Sequence, residues 1–223
     1  MGLSKMTAPK NPDAQQGAIK PSSLIAGLLL LIALLVLSGW KPYDRLTWLM
    51  EVLPVMLVMP ILYFSYPRFP LTHLLYTGIF LHCCVLMLGG AYTYARVPLG
   101  FELQQWFDLN RNPYDKIGHF MQGFVPALAA RELFIRHKVI NGKAWLAFLV
   151  VCVVMFISAV YELIEWAAAL VMGQGADEFL GTQGDVWDTQ SDMFLALIGA
   201  SCLLLFFSRW HDRQIHGLQK TNS

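Results

Sequence analysis

From Leu24 onward the chain alternates between long apolar runs and short polar breaks. Leu24 to Leu37 carries no charge. A second run, about Leu46 to Phe64, is interrupted by Glu51, Pro54 and Pro60; prolines remove helical backbone bonds and predict kinks. A third, about Leu71 to Tyr92, holds His73 near its start and His82 near its middle. Residues 93–114 are polar and aromatic, with Glu102, Gln104, Gln105, Trp106 and Asp108, and predict a loop. The fourth run, about Tyr114 to Phe134, is the least apolar and is bordered by Arg131 and Glu132. The fifth runs from Ala144 to Met172 and the sixth from about Asp188 to Phe207. Each approaches the ~20 residues that a helix needs to cross a bilayer. The pattern predicts an all-α polytopic membrane bundle of about six transmembrane helices. The expected division is a disordered tail at 1–20, a transmembrane domain at 21–208 and a second tail at 209–223. The first run resembles a signal peptide in having Lys20 before it. No small-x-small cleavage site follows Ser38-Gly39-Trp40, so it predicts an uncleaved first helix. No internal repeat supports an inverted-repeat transporter.

Composition sharpens this picture. The chain is 56% hydrophobic and only 14% charged, against roughly 25% charged in soluble domains. Net charge is +1, which gives no reason to expect nucleic acid as a partner. The bilayer itself is the expected partner; nothing in the sequence identifies a protein one. Cys83, Cys84, Cys152 and Cys202 all lie in apolar runs and read as small buried hydrophobes.

The Lys/Arg distribution orients the bundle. With both termini inside, the cytoplasmic segments hold Lys5, Lys10, Lys20, Arg68, Arg131, Arg136, Lys138, Lys143, Arg209, Arg213 and Lys220. The opposite side holds Lys41, Arg45, Arg96, Arg111 and Lys116. Eleven against five predicts an N-in, C-in multi-pass protein of the cell inner membrane. The acidic, Gly-rich loop from Gly173 to Gly184 then faces outward.

That orientation places three polar stripes at one depth. Asp115, His119 and Gln122 share a helical face at the start of the fourth span. Glu162 and Glu165 lie three apart on the fifth; Glu162 is 18 residues past Ala144, about 27 Å along the axis and close to the outer edge. Asp185, Asp188 and Asp192 sit at i, i+3 and i+7 where the sixth span begins. Acids that lipid rejects should face a partner or a cavity, so the three stripes are expected to meet. Carboxylates held together need a raised pKa, a cation, or internal neutralisation by Lys116, Arg111 or His119. A divalent ion, Mg²⁺, Mn²⁺, Fe²⁺ or Zn²⁺, suits His119, Glu162, Glu165, Asp185 and Asp188; the donor set does not choose among them.

Simpler roles compete. Asp115, Asp185 and Asp188 can cap helix N-termini, which does not account for Glu162, Glu165 or His119. Trp106, Trp166 and Trp187 read as interfacial anchors. His82, near the middle of its run, reads first as a packing residue, and so, more weakly, do His73 and Glu51. Gly173, Gly175, Gly181 and Gly184 could form a phosphate nest, but Asp177 and Glu178 oppose an anion there; the loop reads as an outer lid.

At DKIGHF, YELIEW and FLGTQGDVWDTQSDM the chain resembles the YjdF-type inner membrane proteins of bacteria, over nearly all its length from the second span on. The resemblance implies a polytopic inner-membrane protein and supplies no activity. A fainter similarity is to VanZ-like membrane proteins, in which Asp115, Lys116 and His119 match an Asp-Lys-x-x-His helix start and Glu162 or Glu165 a Glu in the next helix. Asp188 and Asp192 depart from the Asp-x-x-x-Asn-x-x-Gly of a later one. That resemblance points to the cell envelope as compartment.

Three functions compete at this stage. The first is a metal-dependent protein acting on a lipid or envelope substrate from the outer side, with catalytic candidates Asp115, His119, Glu162, Glu165, Asp185, Asp188 and Asp192. The second is a proton-coupled transporter. The third is a non-catalytic ligand sensor. The asymmetric placement of the polar groups favours the first over the second, and interhelical polar contacts, at ~0.6 kcal/mol on average, are a weak reason to bury so many ionisable groups.

Overall fold

The computed structural model describes residues 19–172 and 182–221. Most of the amino-terminal tail and most of the acidic loop, Gly173 to Gly181, lie outside the described residues. The described chain is helical throughout, in the order α1 (Pro21–Trp40), α2 (Arg45–Ser65), α3 (His73–Tyr92), α4 (Pro98–Trp106), α5 (Tyr114–Arg136), α6 (Lys143–Met172), α7 (Asp188–Cys202), a π-turn (Leu203–Phe207) and α8 (Ser208–Thr221).

Among the described residues, five helical stretches are long and apolar enough to cross a membrane: α1, α2, α3, Lys143–Val171 of α6, and Asp188–Gln219 through α7 and α8. The sixth long helix, α5, has 23 residues but carries Asp115, Lys116, His119, Gln122, Arg131 and Glu132. It tolerates them because it sits at the centre, packed on α3, α6 and α7. Its buried positions surround the axis instead of forming one stripe, and Ala127 and Leu128 are fully enclosed. By contrast α1 lies at the periphery, with Leu31 its buried residue and Leu29, Val36 and Leu37 exposed. Lipid can cover these side chains at no cost, so their exposure is that of a membrane-facing surface.

Glycine sets the central helix crossing. A Cβ on Gly123 of α5 would collide with the backbone carbonyl of Ala196 in α7, and one on Gly199 with the carbonyl of Phe120. Small residues at such crossings let backbones approach closely. This contact fixes the register of α5 against α7, and with it the position of Asp192 relative to His119.

Two segments expected to be irregular contain helices. Residues 93–114 include α4, begun by Pro98 at its first turn, where the missing N–H costs nothing. The carboxy-terminal segment continues from the sixth span as α8, because His211, Ile215 and Leu218, at i, i+4 and i+7, are buried against the bundle. Leu74 N–H also donates to Gln214 Oε1 at 2.9 Å, tying α8 to the start of α3.

Candidate functional site

The start of α5 presents Asp115, His119 and Gln122 on one face, and the register just described sets Asp192 of α7 opposite them. His119 Nε2 is 3.3 Å from Asp115 Oδ1 and 3.6 Å from Asp192 Oδ2. All three residues are buried, at 8%, 6% and 2% exposure. Gln122 Oε1 lies 3.1 Å from His119 Nδ1. An amide oxygen only accepts, so this contact puts a proton on Nδ1 and turns Nε2 toward the two carboxylates. A proton, on the ring or on one of the carboxyls, or a cation must then lie between Nε2 and those oxygens. Asp115 Oδ2 and Asp192 Oδ1 have no hydrogen-bond partner among the described residues. One potential ligand atom from each of the three residues lies within 4.8 Å of the others. Opposed ligands of an ion held at ~2.1 Å are about 4.2 Å apart, so small side-chain rotations would suffice to enclose one.

The remaining sequence candidates fall around this trio with different partners. Asp188 and Asp185 engage Arg111, whose Nη1 and Nη2 approach them at 2.6 and 3.2 Å. Arg111 Nη1 also donates to the Thr182 carbonyl at 2.7 Å. Burial works against the Arg111 charge, but Asp188 and Asp185 outweigh it and raise the guanidinium above its ordinary value. One guanidinium is thus shared by two acids and balances one of their two charges, in the manner of the internal pairing the sequence allowed. Next to this ion pair, Asn112 N–H donates to Gln183 Oε1 and Gln183 Nε2 donates to the Asn112 carbonyl, at 3.1 and 3.0 Å. Residues 182–188 are thereby fastened to the segment leading into α5.

Glu165 and Glu162 are buried on α6. Glu165 lines a cavity of about 350 Å³ that also reaches Asp115 and His119. Glu162 is outside the cavity lining and bonds Thr189 of α7, and its Oε1 has no hydrogen-bond partner among the described residues. Of the five residues considered as metal ligands from the sequence, His119 belongs to the tight trio, and Asp115 and Asp192 complete it.

Two groups on the cavity wall were read as packing residues. Glu51, 4% exposed, accepts a hydrogen bond from Tyr161 Oη at 3.2 Å. Its depth was readable, since it lies six residues into a span that starts on the same side; which helices flank α2 was not. His82 also lines the cavity. Tyr94, just past α3, is buried beside Glu51, and burial together with that carboxylate pushes its phenol well above its usual value. It therefore stays a proton donor. Trp106, Trp166 and Trp187 are exposed around this end of the bundle, as interfacial anchors would be.

A second buried cluster occupies the opposite end. Glu132, fully buried, accepts from Thr72 Oγ1 at 2.7 Å, Arg136 Nη1 at 2.8 Å and His211 Nε2 at 3.1 Å. Arg131 Nη1 is 3.2 Å from His211 Nδ1, and its Nη2 donates to Asp212 Oδ1 at 2.7 Å. An arginine only donates, so Nδ1 accepts and Nε2 carries the proton given to Glu132. Every member has partners, which makes this a structural clamp.

Comparison with known proteins agrees with the membrane reading. The chain is 58% identical to the inner membrane protein YjdF of Escherichia coli (strain K12) over 197 residues, 88% of this chain and 94% of that protein. No solved structure matches it. A family model described as a predicted membrane protein (DUF2238) matches residues 23–213. The chain therefore belongs to this family of membrane proteins, DUF2238.

Proposed function

We propose that this inner-membrane protein holds a divalent metal ion with Asp115, His119 and Asp192 on its outward side and there acts on a lipid or envelope substrate. The observation that carries the reading is the position of His119 Nε2 between two carboxylates, two of whose remaining oxygens lack partners. A buried carboxylate oxygen with nothing to accept from is costly. Gln122 fixes the tautomer, as a hydrogen-bond partner on the far ring nitrogen does for metal-bound histidines. An ion at the trio would supply Lewis acidity or an acidified water. The protein's own part is to hold the donors in register through the Gly123–Ala196 crossing and to keep Arg111 occupied with Asp185 and Asp188. Glu51 and Glu165 remain on the cavity wall, free to meet a substrate. The Lys/Arg bias, eleven cytoplasmic against five, supports the outward orientation.

The test is metal analysis of protein purified without chelator and exposed in turn to Mg²⁺, Mn²⁺, Fe²⁺ and Zn²⁺. The expected result is one ion per chain, lost in His119→Ala and Asp192→Asn. A folded wild type that retains none of these ions overturns the metal assignment.

One observation favours a second reading, a proton-coupled carrier: ionisable clusters stand at both ends of α5, Asp115–His119 and Arg131–Glu132. The stretch between them, with Ala127 and Leu128 fully buried, offers no polar path along this helix. Substrate-driven proton uptake in proteoliposomes would favour the carrier.

A further inference from the structure

The 350 Å³ cavity has a chemical gradient that three helices repeat independently. On α5 its lining runs from Asp115 and His119 to Val125 and Ala129; Asp115 to Ala129 spans about 21 Å of helix. On α2 it runs from Glu51 to Val58. The antiparallel α6 shows the reverse order, from Ile157 to Tyr161 and Glu165, while α3 completes the wall with Ile79, His82, Cys83 and Leu86. All the acids are therefore gathered at one end and the deep end is apolar. Pro54 and Pro126, whose missing N–H groups break the helical bonding of α2 and α5, both stand on its wall. Space is open where two central helices cannot pack as regular cylinders.

Acids outnumber bases at the polar end, where His119 is already engaged by Asp115. Glu51, Asp115 and Glu165 line it, each at least nine-tenths buried, with no Lys or Arg among the lining residues. Asp115 Oδ2 lacks a hydrogen-bond partner there. A phosphate or carboxylate head would meet carboxylates on the α2 and α6 sides. A protonated amine would meet acceptors, while an alkyl chain would fill the apolar end.

We infer that this cavity is a binding site for an amphiphile with an ammonium head, held by Glu51 and Glu165 beside the trio, and a single alkyl chain lying between α2, α3, α5 and α6. The inference deepens the function proposed above and takes from it the side on which the polar end opens; it does not require the metal.

Binding of octylammonium, octanol, octyl phosphate and butylammonium to the full chain in an uncharged maltoside detergent, read by calorimetry and thermal shift, tests it. Octylammonium should bind about tenfold or more tightly than each of the other three. Glu51→Gln and Glu165→Gln should each lower that affinity by about tenfold while the trio keeps its metal. Ala129→Leu, which shortens the apolar end, should weaken octylammonium and leave butylammonium unchanged. Equal binding of octanol, tighter binding of octyl phosphate, or octylammonium affinity unaltered in both carboxamide variants overturns the inference. If neither variant folds, the comparison of the four ligands on the wild type decides alone. Ammonium binding by a metal-free wild type would sink the metal assignment and leave this one standing; stoichiometric metal with no ammonium preference would do the reverse.

Discussion

Gly123 of α5 rests against the backbone carbonyl of Ala196 in α7 with no room for a methyl group between them. Both partners are backbone, so no side-chain rotation can relieve an added atom. Gly123→Ala should therefore separate the two helices and cost about 1–3 kcal/mol or more, the range for overpacking a tight core. Because the same contact aligns Asp192 with His119, the variant should also lose affinity for any ion held at the trio. Gly118→Ala provides the control, since its Cβ would meet the Tyr94 ring edge at 3.0 Å, where a side chain can shift. Thermal unfolding in detergent should rank Gly123→Ala well below Gly118→Ala; equal stability would show that the crossing does not set the register.

Arg111, on a loop, is shared by two carboxylates, Asp185 and Asp188. Replacing it by Met leaves Asp188 buried without its cation, and removing one partner of a buried pair costs up to about 3–5 kcal/mol. Arg111 is partly exposed, so the loss should fall near the low end. Asp188→Asn in the Arg111→Met background should restore much of the stability, because the unpaired charge is then gone. A double-mutant cycle that shows no coupling between these residues would mean that solvent already screens the pair.

The grouping of the site was legible because helical spacing and the alternating direction of successive helices together give the end of the bundle at which each polar residue falls. Asp115, His119 and Asp192 could be assigned to one end of the bundle on that basis. Neighbourhood was not legible. Periodicity gives each helix a face but does not say which helix that face meets, so Glu51 of α2 was separated from Tyr161 of α6, its actual partner. The pairing of Arg111 with Asp185 and Asp188 joins a loop to the start of α7; Arg111 was one of three candidate neutralisers, and spacing along a loop does not choose among them. His211 escaped notice because its partner, Glu132, lies 79 positions away in sequence. The carboxy-terminal helix followed the same rule: its apolar face is only His211, Ile215 and Leu218, too sparse to announce a buried helix.

Asp44 caps α2, its Oδ1 accepting from the Thr47 N–H at 2.7 Å, and that backbone bond holds its carboxyl below the ordinary value. A carboxyl lowered in the folded state contributes its stability fully above the unfolded value of ~3.9 and loses it as pH falls through the lower folded value. Asp44→Ala should thus cost about 1 kcal/mol at neutral pH. The gap from wild type should narrow as pH falls through that lowered value. Asp44→Asn keeps an acceptor that does not titrate, so it should show little loss at either pH. Unfolding measured at both pH values separates these variants; a gap that stays constant would assign the effect to something other than the cap.

Glu132 gathers donors from three parts of the chain: the Thr72 backbone and hydroxyl before α3, Arg136 one turn along α5, and His211 of α8. Its side chain is fully enclosed, so water cannot replace any of them. Glu132→Ala strands a buried arginine and histidine together, and the expected cost is about 3–5 kcal/mol. Glu132→Gln retains one acceptor oxygen and should cost less. If the cluster is a clamp and takes no part in the chemistry at the other end, the glutamine variant should keep the metal stoichiometry of wild type while α8 loosens. Hydrogen exchange reads this directly: amides around Ile215 and Leu218 should lose protection, whereas those of α5 near His119 should not. Metal loss in a still-folded Glu132→Gln protein would instead couple the two ends and favour the carrier reading.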